Sequence, residues 1–361
     1  MQGPGAIEKL ADVLDELGCR KPVVVVDAVI RNMVWSPVEE RLSAAGCTVI
    51  VLAFPGECTL ETIRALAEQA RSADADCVIG FGGGKTIDTA KGIARECGAR
   101  LVIAPTIASN DSPTSRLIVL YDDQHKVSAV HMLARNPDVV LVDTRIVARA
   151  PARFFAAGLG DALSKKDESE QCHKAGGKNF FGTPSLPLAR LFGRQCRDTI
   201  LEFGRAALAQ IDAHHEPNDD VERAVEASVL MSGLAFESGG LSIAHALTRG
   251  FSASPAMAGY LHGEMVAFGS IVQRYAQCDP EADIRDHARF VLSLGLPVCF
   301  GDFGGFEPDA EQIGAMALLC CQAPYIGNIT PPASQESIAA ALRAADALGT
   351  SLKRAAQAGA A

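Results

Sequence analysis

The chain has 361 residues, 48% of them hydrophobic and 21% charged, which predicts a folded globular protein of about two domains and argues against disorder. The formal net charge of −10 is spread along the chain, with no run of lysines or arginines, so we expect no nucleic-acid partner. The amino terminus lacks a basic segment followed by an apolar one, and no apolar stretch reaches membrane-spanning length, so we expect a cytoplasmic protein without a membrane partner.

The first 150 residues alternate predicted strands with predicted helices. Apolar runs predict strands over 22–27, 48–54, 76–81, 100–104 and 139–142, and helical periodicity predicts helices over 6–17, 36–45, 60–73 and 86–97. Strands that are apolar throughout and joined by helices are typical of a parallel sheet covered on both faces. Residues 1–150 are therefore predicted to form a doubly wound α/β domain that binds a nucleotide.

After residue 150 the sequence becomes rich in alanine and leucine and shows almost no strand pattern. Helices are predicted over 189–211, 221–234 and 308–319. Residues 151–361 are therefore predicted to form an all-helical second domain. The 11 cysteines lie mostly in apolar or helical stretches without a CxxC pair, which indicates reduced core residues.

A run of three glycines, Gly82 to Gly84, joins a predicted strand directly to a predicted helix. Glycines let a diphosphate approach the backbone, and the N–H groups at the start of the helix would attract it. The same run could be only a tight turn between strand and helix, so the residues by themselves leave both interpretations open.

Three potential metal ligands, Asp161, His245 and His262, lie in stretches that are more polar or richer in glycine than their surroundings. One carboxylate and two imidazoles suit a divalent metal that keeps an open coordination position. Each histidine could instead simply pack or form a hydrogen bond. Their separation along the chain does not show that the three converge.

Five motifs occur in order along nearly the whole chain. They are GGGKTIDTAK at 82–91, PTIASNDSPTS at 105–115, GDAL at 160–163, FESGGLSIAH at 236–245 and HGEMVAFG at 262–269. Together they closely resemble the glycerol dehydrogenase branch of the iron-containing, or group III, alcohol dehydrogenases. The resemblance implies an amino-terminal NAD domain, a helical carboxy-terminal domain, a metal and substrate cleft between them, and a homo-oligomer.

Position by position, the resemblance implies that Asp161, His245 and His262 are the metal ligands, with zinc expected and iron the alternative. It implies Asp111 as the contact to a small polyol or hydroxyketone substrate, and Asp111 and His245 as the catalytic residues. The implied reaction is metal-dependent oxidation of glycerol or a related 1,2-diol to the hydroxyketone, with hydride transfer to NAD.

The resemblance also implies a set of cofactor contacts. They are Asp27, Gly83, Gly84, Lys85, Thr86, Asp88, Thr106, Ser109, Ser115, Leu117 and Tyr121. A carboxylate at position 27 can accept a ribose hydroxyl and would repel a 2′-phosphate, which favours NAD over NADP. Asp27 could otherwise be only a turn residue at the end of a strand.

Three departures from the usual pattern of the family concern the substrate. The charged run 164–168, Ser-Lys-Lys-Asp-Glu, replaces aromatic residues, Thr248-Arg249 replaces a His-Asn pair, and Gly327-Asn328 replaces another. We expect the charged run to form a charged surface, with Lys165 one helical turn from Asp161. Lys165 and Arg249 near a metal suggest an anionic hydroxy acid or phosphorylated polyol, or else an oligomer contact or solvated face.

Two other functions remain open from the sequence. A lyase or cyclase of the dehydroquinate synthase type would share the architecture, NAD and the metal but would return the cofactor oxidised. A non-catalytic NAD sensor would need no metal ligands, so the three ligand candidates argue against it.

Overall fold

The computed structural model describes residues 1–122 and 127–360, with the side chains of 359 and 360 left out. The chain divides into two compact units. The first comprises Met1–Phe155 with Ala209–Val229, and the second comprises Ala156–Leu208 with Leu230–Ala361. The first unit therefore extends a few residues beyond the predicted end at residue 150 and recruits a later segment.

The strands of the described chain all begin in its first 142 residues. They are β1 (Gln2–Gly3), β2 (Pro22–Val26), β3 (Ile50–Ala53), β4 (Cys77–Gly82), β5 (Arg100–Pro105), β6 (Leu117–Tyr121), β7 (Val127–Met132), β8 (Val139–Val140) and β9 (Val142–Asp143). Five of them form a parallel sheet in the order β3-β2-β4-β5-β8, so the predicted doubly wound sheet is confirmed.

The helices of the first part of the chain connect these strands. They are α1 (Leu10–Glu16), α2 (Ala28–Ile30), α3 (Ser36–Ala44), α4 (Leu60–Ser72), α5 (Gly84–Cys97) and α6 (Thr144–Arg149). On β2, Val23 and Val25 pack into one buried cluster, whereas Val24 and Val26 pack into another. Alternate residues of a strand point to opposite faces, so both faces of this sheet are covered, as its continuous valine run predicts.

The helices of the second part of the chain follow in close succession. They are α7 (Ala152–Leu163), α8 (Lys165–Lys174), α9 (Pro187–His214), α10 (Asp219–Glu226), α11 (Ser232–Gly239), α12 (Ile243–Ala246), α13 (Thr248–Ala253), α14 (His262–Ala276), α15 (Glu281–Ser293), α16 (Ala310–Cys321) and α17 (Gln335–Ala360). Beyond residue 150, the only strand-like pairing in the described chain is an isolated bridge between Lys178 and Pro184.

Short 3₁₀ and π-helical segments complete the described secondary structure. The 3₁₀ segments are Ala6–Lys9, Ser112–Thr114 and Phe300–Asp302, and the π-helical segments are Arg31–Trp35 and Ala227–Met231. No single described helix is long and apolar enough to span a membrane, although Asp219–Gly239 and Ile243–Ala253, a bent pair, pass the same test when taken together.

The segment Ala209–Val229 belongs to the first unit because α10 contacts β1, at the start of the chain, and α6, which follows the last strand. The side-chain amide of Gln2 donates to the backbone oxygen of Glu222 at 2.8 Å. The hydroxyl of Thr144 donates to the carboxylate of Glu222. A division drawn at residue 150 from composition misses this return because α10 has the same helical pattern as its neighbours.

Strands β6 and β7 form an antiparallel pair that the sequence analysis does not predict. Burial alternates along β6, whereas β7 is largely exposed. Such a pair gives a weaker hydrophobic signal than the fully buried parallel strands. The pair also places Leu117 and Tyr121, two implied cofactor contacts, at the two ends of β6.

Candidate metal centre and nucleotide-binding loop

The structure brings Asp161, His245 and His262 together in the second unit. Asp161 lies near the end of α7, His245 lies in α12, and His262 is the first residue of α14. Asp161 Oδ1 is 3.1 Å from His245 Nε2 and 3.8 Å from His262 Nε2, and the three ligand atoms all lie within 4.8 Å of one another. Ligand atoms on a tetrahedral zinc ion are separated by about 3.3 Å, so this set is close to the size of a metal site.

Glycines allow α14 to approach α7 closely enough to place His262 beside Asp161. A Cβ added at Gly263 would lie 1.8 Å from the backbone oxygen of Ala157, and one added at Gly160 would lie 2.8 Å from the backbone oxygen of Gly263. Real Cβ atoms do not approach a backbone oxygen this closely. Glycine is therefore required where the two helices cross, one residue away from Asp161 on α7 and from His262 on α14.

The remaining candidate ligand, His245, is positioned by a carboxylate that the sequence analysis does not single out as a site residue. Glu168 is fully buried in α8, and its Oε1 accepts the backbone N–H groups of Ser242 and His245 at 2.9 and 3.1 Å. Its Oε2 lies 2.6 Å from His245 Nδ1. This network assigns a proton to Nδ1 and directs Nε2 toward Asp161.

The side chain of Lys165 reaches the same two ligand atoms. Its Nζ lies 2.9 Å from Asp161 Oδ1 and 2.9 Å from His245 Nε2, and the residue is 1% exposed. The expectation that residues 164–168 form a charged surface is therefore wrong. Residues 161, 164, 165 and 168 are spaced three or four apart, which places them on one face of a helix. This spacing was the signal in the sequence that these polar residues are buried as one cluster.

Apart from the half-buried Lys166, the rest of the charged run is buried as well, because partners are available for it. Asp167 is 8% exposed, and its Oδ2 accepts a hydrogen bond from Arg274 at 2.5 Å. Arg274 also donates to Asp279 at 3.1 Å. Buried charges are tolerated when they are paired and hydrogen-bonded, which explains how this polar sequence enters a helical core.

The electrostatics of the cluster favour a positive charge between its carboxylates. Burial raises the pKa of Asp161, but Lys165 and His245 outweigh burial and lower that pKa below its ordinary value. Burial lowers the pKa of His245, but Glu168 and Asp161 outweigh it and raise that pKa to about 9. Lys165 Nζ and His245 Nε2 lie 2.9 Å apart, so one of the two nitrogens donates a hydrogen to the other. The pair therefore holds a positive charge close to Asp161.

The donor set fits a divalent metal. Asp161 Oδ2 is buried and has no hydrogen-bond partner among the described residues, as expected of an oxygen available for coordination. His245 presents Nε2 while Glu168 holds its Nδ1–H, which is the usual arrangement of a metal-binding histidine. His262 is 42% exposed in its side chain, so it reaches solvent from one side of the cluster. A carboxylate with two imidazoles suits zinc in an open catalytic site and also suits ferrous iron.

The glycine loop of the first unit forms the N-terminus of α5. Gly83 is the residue before the helix and has no side chain with which to cap it. A Cβ added at Gly83 would lie 2.9 Å from the side chain of Ile107, and one at Gly84 would lie 3.0 Å from that of Asn110. The loop after β5 therefore lies against bare backbone, which leaves the start of α5 suited to a phosphate group.

Lys85 and Tyr121 lie together beside this loop. Lys85 Nζ is 2.7 Å from Glu57 Oε2 and 4.5 Å from the centre of the Tyr121 ring. Burial raises the pKa of Tyr121, so the phenol is neutral near pH 7. Thr86, the next residue of the loop, is buried at 3% exposure.

The carboxylate of Asp88, an implied cofactor contact, is occupied by the protein. Oδ1 lies 2.9 Å from Lys91 Nζ and accepts the Ser112 hydroxyl at 2.7 Å, and Oδ2 accepts the backbone N–H of Val119 at 3.0 Å. The group therefore links α5 to the following loop and to β6. The contacts recorded for this carboxylate are thus structural, within the first unit.

The other implied cofactor contacts are near the ends of strands in the first unit. Thr106, Ser109 and Ser115 are buried, and Ser115 Oγ accepts the N–H of Leu117 at 2.9 Å. Asp27 follows β2, and its Oδ1 caps α2 by accepting the N–H groups of Val29 and Ile30. This capping is a local structural role, the alternative to ribose binding that the sequence leaves open for Asp27.

Asp111, the implied substrate contact, immediately precedes the 3₁₀ segment Ser112–Thr114. Its backbone oxygen accepts a hydrogen bond from the N–H of Thr114 at 3.3 Å. The residue lies in the first unit, on the loop that follows β5 and packs against the glycine loop.

Comparison with known proteins identifies the relatives of this chain. A family described as iron-containing alcohol dehydrogenase matches residues 1–144. A glycerol dehydrogenase from Escherichia coli O6:H1 is 37% identical, with 97% of each chain covered. A glycolaldehyde reductase from Halobacterium salinarum is 36% identical over 83% of this chain and 82% of its own.

A solved structure, of glycerol dehydrogenase from Schizosaccharomyces pombe, has a TM-score of 0.93 and 31% sequence identity. The matched region covers 99% of this chain and 91% of the Schizosaccharomyces pombe chain. Fold, sequence and the ligand cluster thus agree with the motif resemblance. The chain belongs to the glycerol dehydrogenase branch of the iron-containing alcohol dehydrogenases, a family of NAD-linked, metal-dependent oxidoreductases that act on CH–OH groups.

Proposed function

We propose that the protein oxidises glycerol or a related 1,2-diol to the hydroxyketone and transfers the hydride to NAD. The cluster of Asp161, His245 and His262, with Glu168 holding the Nδ1–H of His245, is the observation that carries this proposal. The relatives that support the substrate class are a glycerol dehydrogenase and a glycolaldehyde reductase, whose names both denote substrates with oxygens on adjacent carbons.

The three ligands would hold one divalent metal. The metal supplies Lewis-acid charge at the substrate hydroxyl, and NAD supplies the hydride acceptor. Asp161 provides the anionic ligand and is buried, so its charge is poorly screened by water. Glu168 fixes the ring of His245 through a hydrogen bond to Nδ1 and two to the backbone, which keeps Nε2 aimed at the same point as Asp161 Oδ1.

We propose zinc as the metal, with iron as the alternative that the same donor set accepts. The choice follows the glycerol dehydrogenase branch. Loading chelator-stripped protein with each metal in turn, and comparing turnover per bound ion, tests it. Equal or greater turnover with iron would overturn the choice of zinc.

The polyol would be oriented by Asp111, whose carboxylate can accept a hydrogen bond from the hydroxyl next to the reacting carbon. Asp111→Asn keeps the shape but removes the charge. We expect it to raise the KM for glycerol more than about tenfold, because orientation contributes several kcal/mol in such reactions. NADH affinity should stay unchanged, and a loss of NADH affinity instead would place Asp111 at the cofactor.

An anionic substrate is the second candidate, and Arg249 is the residue that favours it. Arg249 is exposed in α13, whereas Lys165 donates to Asp161 and Lys166 Nζ is 3.9 Å from Asp167 Oδ1. The ammonium of Lys165 is thus neutralised by its own partners. This weakens the support that the sequence gives to a hydroxy acid or phosphorylated polyol.

The deciding experiment is NADH formation by metal-loaded protein with glycerol, 1,2-propanediol, lactate and glycerol phosphates, each repeated after chelation. Chelator-sensitive NADH formation fastest on an uncharged diol is the expected result. Faster turnover of the anions would support the second candidate, and Arg249→Ala should then abolish that preference. Cofactor that is reduced only transiently, without net NADH, would indicate the lyase or cyclase.

We propose further that the protein is a cytoplasmic homo-oligomer. The cysteines support the compartment, because none of the 11 is in a disulfide. The family resemblance supports self-association. Size measurement of the purified protein tests the second point, and a monomer would overturn it.

A further inference from the structure

Lys165 occupies an unusual position for a buried lysine, because its Nζ lies within hydrogen-bond distance of two atoms that belong to proposed metal ligands. Its Nζ is equidistant, at 2.9 Å, from Asp161 Oδ1 and His245 Nε2. These two atoms are themselves 3.1 Å apart. A positively charged nitrogen therefore bridges the pair that would also bind the metal.

The Nε2 atom of His245 cannot bind Lys165 and a metal at the same time. Its Nδ1–H donates to Glu168, so Nε2 is the ring nitrogen left for a ligand, and it has one position in the plane of the ring. That position carries a proton, accepts a hydrogen from Lys165 or ligates a metal, and only one of these at a time. A metal about 2.1 Å from Nε2 requires the lysine to give up this contact.

The charges of the cluster lead to the same conclusion. Asp161 and Glu168 are fully buried carboxylates, and their charges need nearby compensation. Lys165 supplies one positive charge to this pair from within the fold. A divalent ion would supply two at nearly the same place, so the ion and the ammonium compete for the same negative potential.

We propose that Lys165 is an internal competitor for the divalent metal. Its ammonium holds Asp161 and His245 together in the metal-free protein and is displaced from both atoms when a metal binds. The lysine thereby weakens metal binding and keeps the empty site folded. This inference rests on the metal site of the proposed function and adds a control of metal loading that lies within the chain itself.

The test is the affinity of chelator-stripped protein for Co²⁺, followed by visible absorbance of the bound ion at one fixed pH. Co²⁺ serves as a coloured substitute for zinc. Lys165→Met removes the charge and keeps most of the length of the side chain. We expect its Kd for Co²⁺ to be at least about tenfold lower than that of the unmodified chain, equivalent to about 1.4 kcal/mol.

Lys166→Met is the matched control, because it removes the same charge from the next residue. Lys166 lies 3.9 Å from Asp167 Oδ1 and contacts no metal ligand in the described hydrogen bonds. We expect its Kd to stay within about twofold of the unmodified value. Equal tightening in both variants would mean that general charge, and not contact with the ligands, sets the affinity, and would overturn the proposal.

Failure of this inference is distinguishable from failure of the metal assignment. If the unmodified chain binds Co²⁺ and Lys165→Met binds it equally or more weakly, the competitor role is overturned and the metal site stands. If neither binds Co²⁺, both are overturned. If only Lys165→Met binds, the competitor role is supported in its strongest form.

The variant could fail to fold without metal, because Asp161 and Glu168 would then lack compensation. In that case Lys165→Met is produced with Co²⁺ present, and release of the ion to excess chelator is timed against the unmodified chain. Release at least about tenfold slower supports the proposal. Release at an equal or faster rate overturns it.

Discussion

Lys91 in the first unit and Lys165 in the second are both buried, and each donates to an aspartate about one helical turn earlier in the chain. Their other partners differ. Lys91 also donates to the Ser112 hydroxyl and to the backbone oxygen of Leu117, whereas Lys165 contacts His245 Nε2. The comparison teaches that burial and an ion pair do not define the role of a lysine, because the partner atoms decide it.

The largest expected effect comes from removing one of the three proposed ligands of the cluster that Lys165 contacts. His262→Ala should lower kcat/KM on the best diol by at least about 10³-fold, because two ligands hold the metal poorly and its Lewis-acid effect is worth several kcal/mol. NADH binding, measured by fluorescence, should survive, since the glycine loop lies in the other unit. Near wild-type activity of chelator-treated His262→Ala would show that the cluster is not the metal site.

The contribution of Lys91 to stability can be tested with Lys91→Met. Asp88 would be left buried without a charged partner, which in other proteins destabilises the fold by about 3–5 kcal/mol. Urea unfolding followed by the fluorescence of the single tryptophan, Trp35, measures the change. Added metal should not restore stability, because none of the groups around Lys91 is a metal ligand. Recovery with metal would erase the contrast between the two lysines.

The second lysine should behave differently in the same assay. Without metal, Lys165→Met should be less stable than the unmodified chain, because Asp161 and Glu168 lose their cation. Saturating metal should then stabilise the variant more than it stabilises the unmodified chain, by about 1.4 kcal/mol for each tenfold difference in Kd. Thermal unfolding with and without metal gives both quantities. An identical metal-induced shift in the two proteins would contradict the proposed competition.

A smaller effect, on the pH dependence of stability, is expected from His287, a buried base with no carboxylate partner among the described hydrogen bonds. His287 Nε2 lies 2.7 Å from Ser270 Oγ, and its Nδ1 is buried without a partner among the described residues. Burial, and then the positive charges of Arg274, Arg197 and Lys166, lower the pKa of His287 well below its ordinary value. This base is therefore neutral in the folded protein near pH 7.

Stability should accordingly fall as the pH drops below about 6.5, where His287 takes up a proton in the unfolded chain but not in the folded one. One such group changes the free energy of unfolding by at most about 1.4 kcal/mol per pH unit. His287→Gln should reduce this slope in urea unfolding between about pH 7 and about pH 5. An unchanged slope would mean that His287 is charged in the folded state.

The parallel sheet could be predicted from the sequence because strands buried on both faces carry an unambiguous apolar pattern. Pro22–Val26 has five buried residues in succession. Strands β6 and β7 escaped because one face of the pair is exposed and the signal is diluted. The return of α10 to the first unit escaped because it depends on contacts of Glu222 with Gln2 and Thr144, which are distant in sequence.

The site was predictable only to the level of its family motifs. Motif matching brought out Asp161, His245 and His262, whose ligand atoms the structure places within 4.8 Å. Glu168 was taken for a surface charge, because composition by itself gives no sign that a charged run has partners, whereas Lys165 was expected one helical turn from Asp161 and near the metal. Their contacts with His245 come from α12, which lies far along the chain from α8.

The crossing of α7 and α14 has a consequence for anyone who redesigns this enzyme. The backbones at Gly160 and Gly263 lie so close that a single added methyl group would push the helices apart. Each glycine is next to a proposed ligand, so that displacement would be transmitted to the spacing between Asp161 and His262. Mutant libraries that leave the proposed ligands intact but vary these two glycines would disrupt their cluster just as surely, and both positions should be held fixed.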